Sequence, residues 1–326
     1  MPNDSYPRSY PRSAVDLFSD DEDPLLQAPP PPFSGIRLPD ERTLAWAEYG
    51  NPRGVPCVLI PDLGSTRLAP NWLLHDAAVP ASIRLLAVDR PGVGASDPVG
   101  IGGREDLTAD LMRMVQTLAV GRVAMIGIGR GVDDALAFAD RFPGSVTAVV
   151  GVSARVGAHA PLTGRRHLIG QRDQQWLGPM PAWAKAAGRR DLRLAETWRR
   201  VATKVPADAR EAIGNRWKES DFRVAVADDL GLGQADRLRS QRLEPNWVHR
   251  WTTYVPVHLW HGRQEGETHV SALRAVAGHR PSWQVHAVPG CSALLGFWPD
   301  LLLQAESSFR AGASPVPDAP DLAVTA

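Results

Sequence analysis

The sequence predicts an α/β protein: a mostly parallel central sheet with helices on both faces, interrupted by a helical insertion. Three features predict it. Apolar runs at Cys57-Val58-Leu59-Ile60, Arg84-Leu85-Leu86-Ala87-Val88, Val123-Ala124-Met125-Ile126 and Val146 to Val152 read as strands buried on both sides. Helix-patterned segments alternate with them, as strand–helix–strand units require. The alternation stops at Arg155 and resumes at Val257, which leaves a long insert within one core.

In chain order, the ordered part opens with a hairpin, Ile36 to Leu38 and Thr43 to Tyr49, turning at Asp40-Glu41. The strand at Cys57 runs into the loop Pro61-Asp62-Leu63-Gly64-Ser65. The strand at Arg84 runs into Asp89-Arg90-Pro91-Gly92. Leu107, Leu111, Met114, Val115 and Leu118 share one helical face. A helix including Ala135 to Phe142 follows the strand at Val123. After the insert come the strand Val257-His258-Leu259-Trp260, a helix from about His269, the strand Trp283 to Val288 and a last helix including Leu301 to Phe309. The insert is rich in Trp and Arg, with arginine pairs at 165–166, 189–190 and 199–200. Tryptophans that pack a lid onto the core, with arginines solvating its outer face, account for this composition, although stacking on a planar or anionic ligand would use the same residues.

Residues 1–34 carry Asp20-Asp21-Glu22-Asp23 and Pro29 to Pro32 and few core-forming side chains, so they are expected to form a disordered tail. The expected organisation is therefore tail 1–34, core 35–154, helical lid 155–253, core 254–312 and a second tail 313–326. Lys+Arg and Asp+Glu balance at 36 each, so no overall field recruits nucleic acid or an anionic membrane. Two cysteines exclude a disulfide scaffold, and the nine histidines lack metal-ligand spacing, so no metal or other cofactor is expected. No apolar run approaches the roughly 20 residues that span a bilayer. The N-terminus also lacks the basic-then-apolar order of a signal peptide, and a cytoplasmic location is the expectation.

Several motifs, in order, resemble the α/β-hydrolase family over residues 35–312. Leu38-Pro39-Asp40 with Leu44 to Gly50 resembles its opening hairpin. Asp89-Arg90-Pro91-Gly92-Val93-Gly94-Ala95-Ser96-Asp97 resembles the turn after its fourth strand. Trp260-His261-Gly262 and Val288-Pro289-Gly290 resemble the ends of its last two strands. The resemblance implies a sheet that places a nucleophile elbow, Gly-x-Ser-x-Gly, on a sharp strand-to-helix turn. Here the elbow reads Gly127-Ile128-Gly129-Arg130-Gly131, so the nucleophile position is Gly129. A residue without a side chain forms no acyl-enzyme.

The other positions implied by the resemblance are altered too. Glu265 stands where the acid belongs and would serve as one. Ala293 or a neighbour occupies the histidine position, and no histidine follows His286. The oxyanion loop reads Pro61-Asp62-Leu63, which leaves the backbone N–H groups of Leu63 and Arg130 as donors beside an acid that opposes a developing negative charge. Asp62 and Arg130 are expected to form an ion pair above Gly129, or to share a polar ligand.

Further candidates are weaker. Gly127, Gly129 and Gly131 suggest a dinucleotide fingerprint, but Val132 replaces its third glycine, and Ser153 and Ala154 stand where its acid belongs. Cys291 lies in the histidine loop without a matched base and reads as an inert small residue. His261 and His269 are the candidate relocated bases, against structural and solvent-facing readings. The expected function is a catalytically degenerate hydrolase-like protein that binds a small molecule or a protein partner. The alternative is an enzyme, a hydrolase, lyase or cyclase, that uses non-standard residues in the same pocket.

Overall fold

Strand-forming runs and their alternation decide the core. A computed structural model describes residues 33–62, 65–74, 78–99, 107–154, 224–226, 228–229, 251–263, 267–289 and 297–313. The tails, most of the expected lid and the loops carrying Leu63, Glu265, Cys291 and Ala293 lie outside the described residues, as does the side chain of His269.

Strands β1 (Ser34–Arg37) and β2 (Thr43–Gly50) form the hairpin, with Arg37 opposite Thr43. Next come β3 (Val55–Ile60), a short helix α1 (Ala69–Leu73), β4 (Ile83–Val88), α2 (Leu107–Thr117) and β5 (Val123–Ile128). They are followed by α3 (Gly131–Arg141), β6 (Val146–Val152), β7 (Val257–Gly262), α4 (Glu267–Ala277), β8 (Trp283–Val288) and α5 (Trp298–Ala313). Helix α1 is an element the sequence pattern did not suggest. It spans a single turn's worth of chain, with a proline in its first turn, where the lost N–H would have had no partner anyway.

The eight strands order as β1-β2-β4-β3-β5-β6-β7-β8. Strand β2 runs antiparallel to β4, and the strands from β4 to β8 pair in parallel. Successive strand side chains point to opposite faces, so each buried run feeds two cores. Val58, Ile60, Leu86, Val88 and Met125 face α2, α3 and α4, where Leu111, Met114, Leu136 and Leu273 meet them. Cys57, Leu59, Leu85, Ala87 and Ile126 face α1 and α5, against Leu73, Trp298, Leu301 and Leu302. A fully buried leucine stabilises such a face by about 1.5–3 kcal/mol.

Strand β3 lies between β4 and β5, so the chain leaves β3 toward one side of the sheet and returns through β5 on the other. The crevice outside the carboxyl ends of β3 and β5 is the switch point, where open α/β sheets bind their ligands. The chain puts Asp62 and Gly129 at those two ends.

Candidate functional site

The turn from β5 into α3 is tight because its glycines allow close approach. Gly129 takes φ +53°, the left-handed region that side chains disfavour, and its N–H donates to the Val152 carbonyl at 2.8 Å. At Gly127 a Cβ would meet the Val132 Cα at 2.5 Å, so helix and strand pack directly on each other. This backbone is an elbow that lifts one residue above the sheet.

Above Gly129 lies the Asp62 carboxylate. Its Oδ1 accepts the backbone N–H of Arg130 at 2.8 Å, and the side chain is buried. A Cβ built on Gly129 would lie within 2.6 Å of all three carboxyl atoms of Asp62. The carboxylate therefore fills the space that a nucleophile's side chain would use, and it engages the amide that follows the elbow. The physical reason is local. Residue 130 caps α3 and makes no side-chain capping bond of its own, and an anion is stabilised by the partial positive charge at a helix N-terminus.

The structure corrects the expected Asp62–Arg130 ion pair. The Arg130 guanidinium pairs with Asp133 one turn along α3, and Asp62 binds the backbone of residue 130 instead. An i,i+3 partner on the same helix meets the guanidinium at little cost in ordering. The other oxygen of Asp133, Oδ1, accepts the Trp251 indole N–H at 2.6 Å, which ties the chain entering β7 to the elbow helix.

Two buried arginines hold the surrounding loops. Arg90 donates to the Pro61 carbonyl at 2.6 Å and to Asp134 at 2.7 Å, so it clamps the residue before Asp62 onto α3. Asp89 accepts the Arg67 guanidinium and the Arg67 backbone N–H, each at 2.7 Å, and the Ala95 N–H at 2.8 Å. The Arg67–Asp89 pair is wholly buried, and burial pushes the Asp89 carboxyl up against the opposing pull of Arg67. Nε and Nη2 of Arg67 are buried and have no hydrogen-bond partner among the described residues.

A carboxylate the sequence did not single out completes the surroundings. Asp229, from helical residues within the insert, is fully buried against segment 65–72. It accepts the Ser65 hydroxyl at 2.5 Å, the Thr66 N–H at 2.6 Å, the Thr66 hydroxyl at 2.8 Å and the Trp72 indole N–H at 2.9 Å. Burial raises it to about 6, against the lowering effect of these donors. No signal in the sequence marks it, because one acid in a helical, charge-rich insert looks like a solvated face.

His261 is buried at the end of β7, with Nδ1 3.1 Å from the Gly262 carbonyl, and burial lowers its pKa. Cys57 is buried in β3, and burial holds its thiol up at about 12. Among the described residues no cluster of three or more His, Cys, Asp or Glu side chains would hold a metal ion, and no helix is long and apolar enough to cross a membrane.

An eight-stranded, mostly parallel sheet with a sharp turn from β5 into the following helix is the α/β-hydrolase fold, which this chain adopts. The solved structures it resembles include an esterase from Rhodococcus sp. ECU1013, 17% identical, covering 86% of this chain and 98% of that one, with a TM-score of 0.55. An α/β-hydrolase fold protein from Nakamurella multipartita is 17% identical over 86% of this chain and all of its own, with a TM-score of 0.52. A hydrolase from Pseudomonas aeruginosa is similar at 17% identity over 85% of this chain and 98% of its own, with a TM-score of 0.51. At such identities the likeness concerns the fold. In sequence, the chain is 25% identical over 192 residues to a probable proline iminopeptidase from Streptomyces coelicolor, matching 55% of this chain and 57% of that protein. No family model matches the chain.

Proposed function

We propose that this chain is a catalytically degenerate member of the α/β-hydrolase superfamily that binds a small molecule or a protein partner at the β3–β5 crevice. One observation carries the reading. The Asp62 carboxylate lies over Gly129 and accepts the N–H of residue 130, the amide that an oxyanion would otherwise use. An acyl-transfer site needs a nucleophile and donors aimed at a developing negative charge. Here the nucleophile position carries no side chain, and a carboxylate stands beside the donor.

A second reading is an enzyme that employs Asp62 itself. It draws on the relatives, whose names include esterases, hydrolases and a proline iminopeptidase. It also draws on the presence of an ionisable group over the elbow. Such an enzyme would use the carboxylate as a base or nucleophile in place of serine.

The deciding experiment assays purified full-length protein on short-chain aryl esters and on prolyl arylamides, alongside Asp62→Asn. The binding reading expects no saturable turnover above buffer in either protein. Saturable turnover that survives re-purification and is lost in Asp62→Asn would establish the enzyme instead.

A further inference from the structure

Asp229 lies 163 residues from Thr66 in sequence, yet its single carboxylate gathers four donors from segment 65–72. That segment continues directly from the loop bearing Asp62, and the Ser65 N–H donates to the Asp62 carbonyl at 3.1 Å. A fully buried carboxylate is costly unless it is fully hydrogen-bonded. Its retention here, bonded on both oxygens to one loop, marks a structural tie whose far end is the candidate site.

We propose that Asp229 is the positioning residue of this site, a carboxylate anchor through which the insert fixes segment 65–72 and so holds Asp62 over Gly129 and against the amide of residue 130. This rests on the reading of Asp62 as the group that occupies the site, and it holds whether the site binds or catalyses.

The chemistry around the anchor makes it respond to protons. From β2, the Tyr49 phenol feels the charges of Asp229, Arg67 and Asp89, and its own pKa is raised by burial first and then by Asp229. Its hydroxyl donates to the Arg67 carbonyl at 3.0 Å. Asp228 precedes the anchor on its own helical turn, and Asp62 follows β3. The Arg67–Asp89 pair is wholly buried, and arginine keeps its proton at any ordinary pH. Burial holds Asp229 up at about 6, where it exchanges a proton near neutrality. The Ser65 Oγ to Asp229 Oδ2 separation of 2.5 Å suits a strong charge-assisted bond. On protonation, Oδ2–H donates to a rotated Ser65 hydroxyl, Thr66 keeps its bonds to Oδ1, and the Trp72 indole loses its better acceptor. Since the folded value lies above the ordinary 3.8, the docked segment takes up a proton as pH falls through about 6. Docking is thus tighter in mild acid and looser above that value.

The test is a ¹⁵N–¹H spectrum of the full chain, titrated between about pH 4.5 and 8, with the Trp72 indole assigned through Trp72→Phe. The Trp72 indole and the Arg130 amide are expected to shift together, with one midpoint near 6. In Asp229→Asn both should lose that titration while the remaining spectrum stays folded. In Asp229→Ala the Arg130 amide should move toward its position in Asp62→Ala. If Asp229→Ala fails to fold, the wild-type titration and Asp229→Asn decide. A titrating Trp72 with a silent Arg130 amide would overturn the proposal, leaving Asp229 a local tie. An Arg130 titration that persists in Asp229→Asn would overturn it as well, because that amide would then be following a group other than Asp229. Neither outcome touches the turnover assay that decides between binding and catalysis.

Discussion

Replacing Gly129 by alanine tests the central geometry directly. The substitution forces a Cβ into a backbone at φ +53°, which costs about 1–2 kcal/mol for an L-residue. The same Cβ would stand within 2.6 Å of the Asp62 carboxyl atoms, so the carboxylate must leave. It then gives up its bond to the amide of residue 130, a charged hydrogen bond worth about 1.5–3 kcal/mol. Gly129→Ala should therefore cost about 2.5–5 kcal/mol. Asp62→Ala loses the same hydrogen bond without the strain, about 1.5–3 kcal/mol. In the double variant that bond is lost only once, so its cost should fall below the sum of the singles by about 1.5–3 kcal/mol. Urea unfolding of the four proteins, with equal m-values, reads this coupling. Additivity within about 0.5 kcal/mol would refute the reasoning, as would a crystal structure of Gly129→Ala with Asp62 unmoved. Gly129→Ser should behave like Gly129→Ala in stability and gain no esterase activity, since the new hydroxyl enters occupied space and finds no matched base.

Other consequences follow from the buried charges nearby. Asp89→Ala strips the wholly buried Arg67 of its ion-pair partner and should cost about 3–5 kcal/mol; replacing both residues by apolar ones should cost less, as denaturant midpoints will show. Arg90→Met should loosen Pro61 from α3, giving faster hydrogen exchange of the Arg130 amide, and a rate equal to the wild type would disprove the clamp. His261, His258 and His286 all have pKa values lowered by burial, so the unfolded chain takes up protons before the folded one. Stability should accordingly be full above the ordinary histidine value and decline as pH falls below it, partly offset by proton uptake at Asp229. Urea midpoints across about pH 5 to 7.5 should fall with acid in the wild type and fall less steeply in His261→Phe.

What was legible in the chain came from patterns with short range. Continuous apolar runs specify strands buried on two faces, and β3 to β6 formed where Cys57, Leu85, Val123 and Val146 begin or join such runs. Gly127, Gly129 and Gly131 mark a sharp turn because the backbone requirement is encoded at the positions themselves. The turn at Asp89 to Asp97 was likewise visible, though not that Asp89 would bind Arg67 and Ala95 inside it. The role of Asp62 was only half visible: its place beside the elbow followed from strand order, but its choice of the residue 130 backbone over the Arg130 guanidinium did not. That choice depends on Asp133 competing for the guanidinium from the first turn of α3, and on a helix N-terminus whose cap residue offers no side-chain bond and so welcomes a carboxylate. Asp229 was illegible because nothing local distinguishes an acid bound for solvent from one bound for a buried loop. Only the folded chain, by closing the long loop from Ser65 to Asp229, creates the desolvated ring of donors that gives the carboxylate its place.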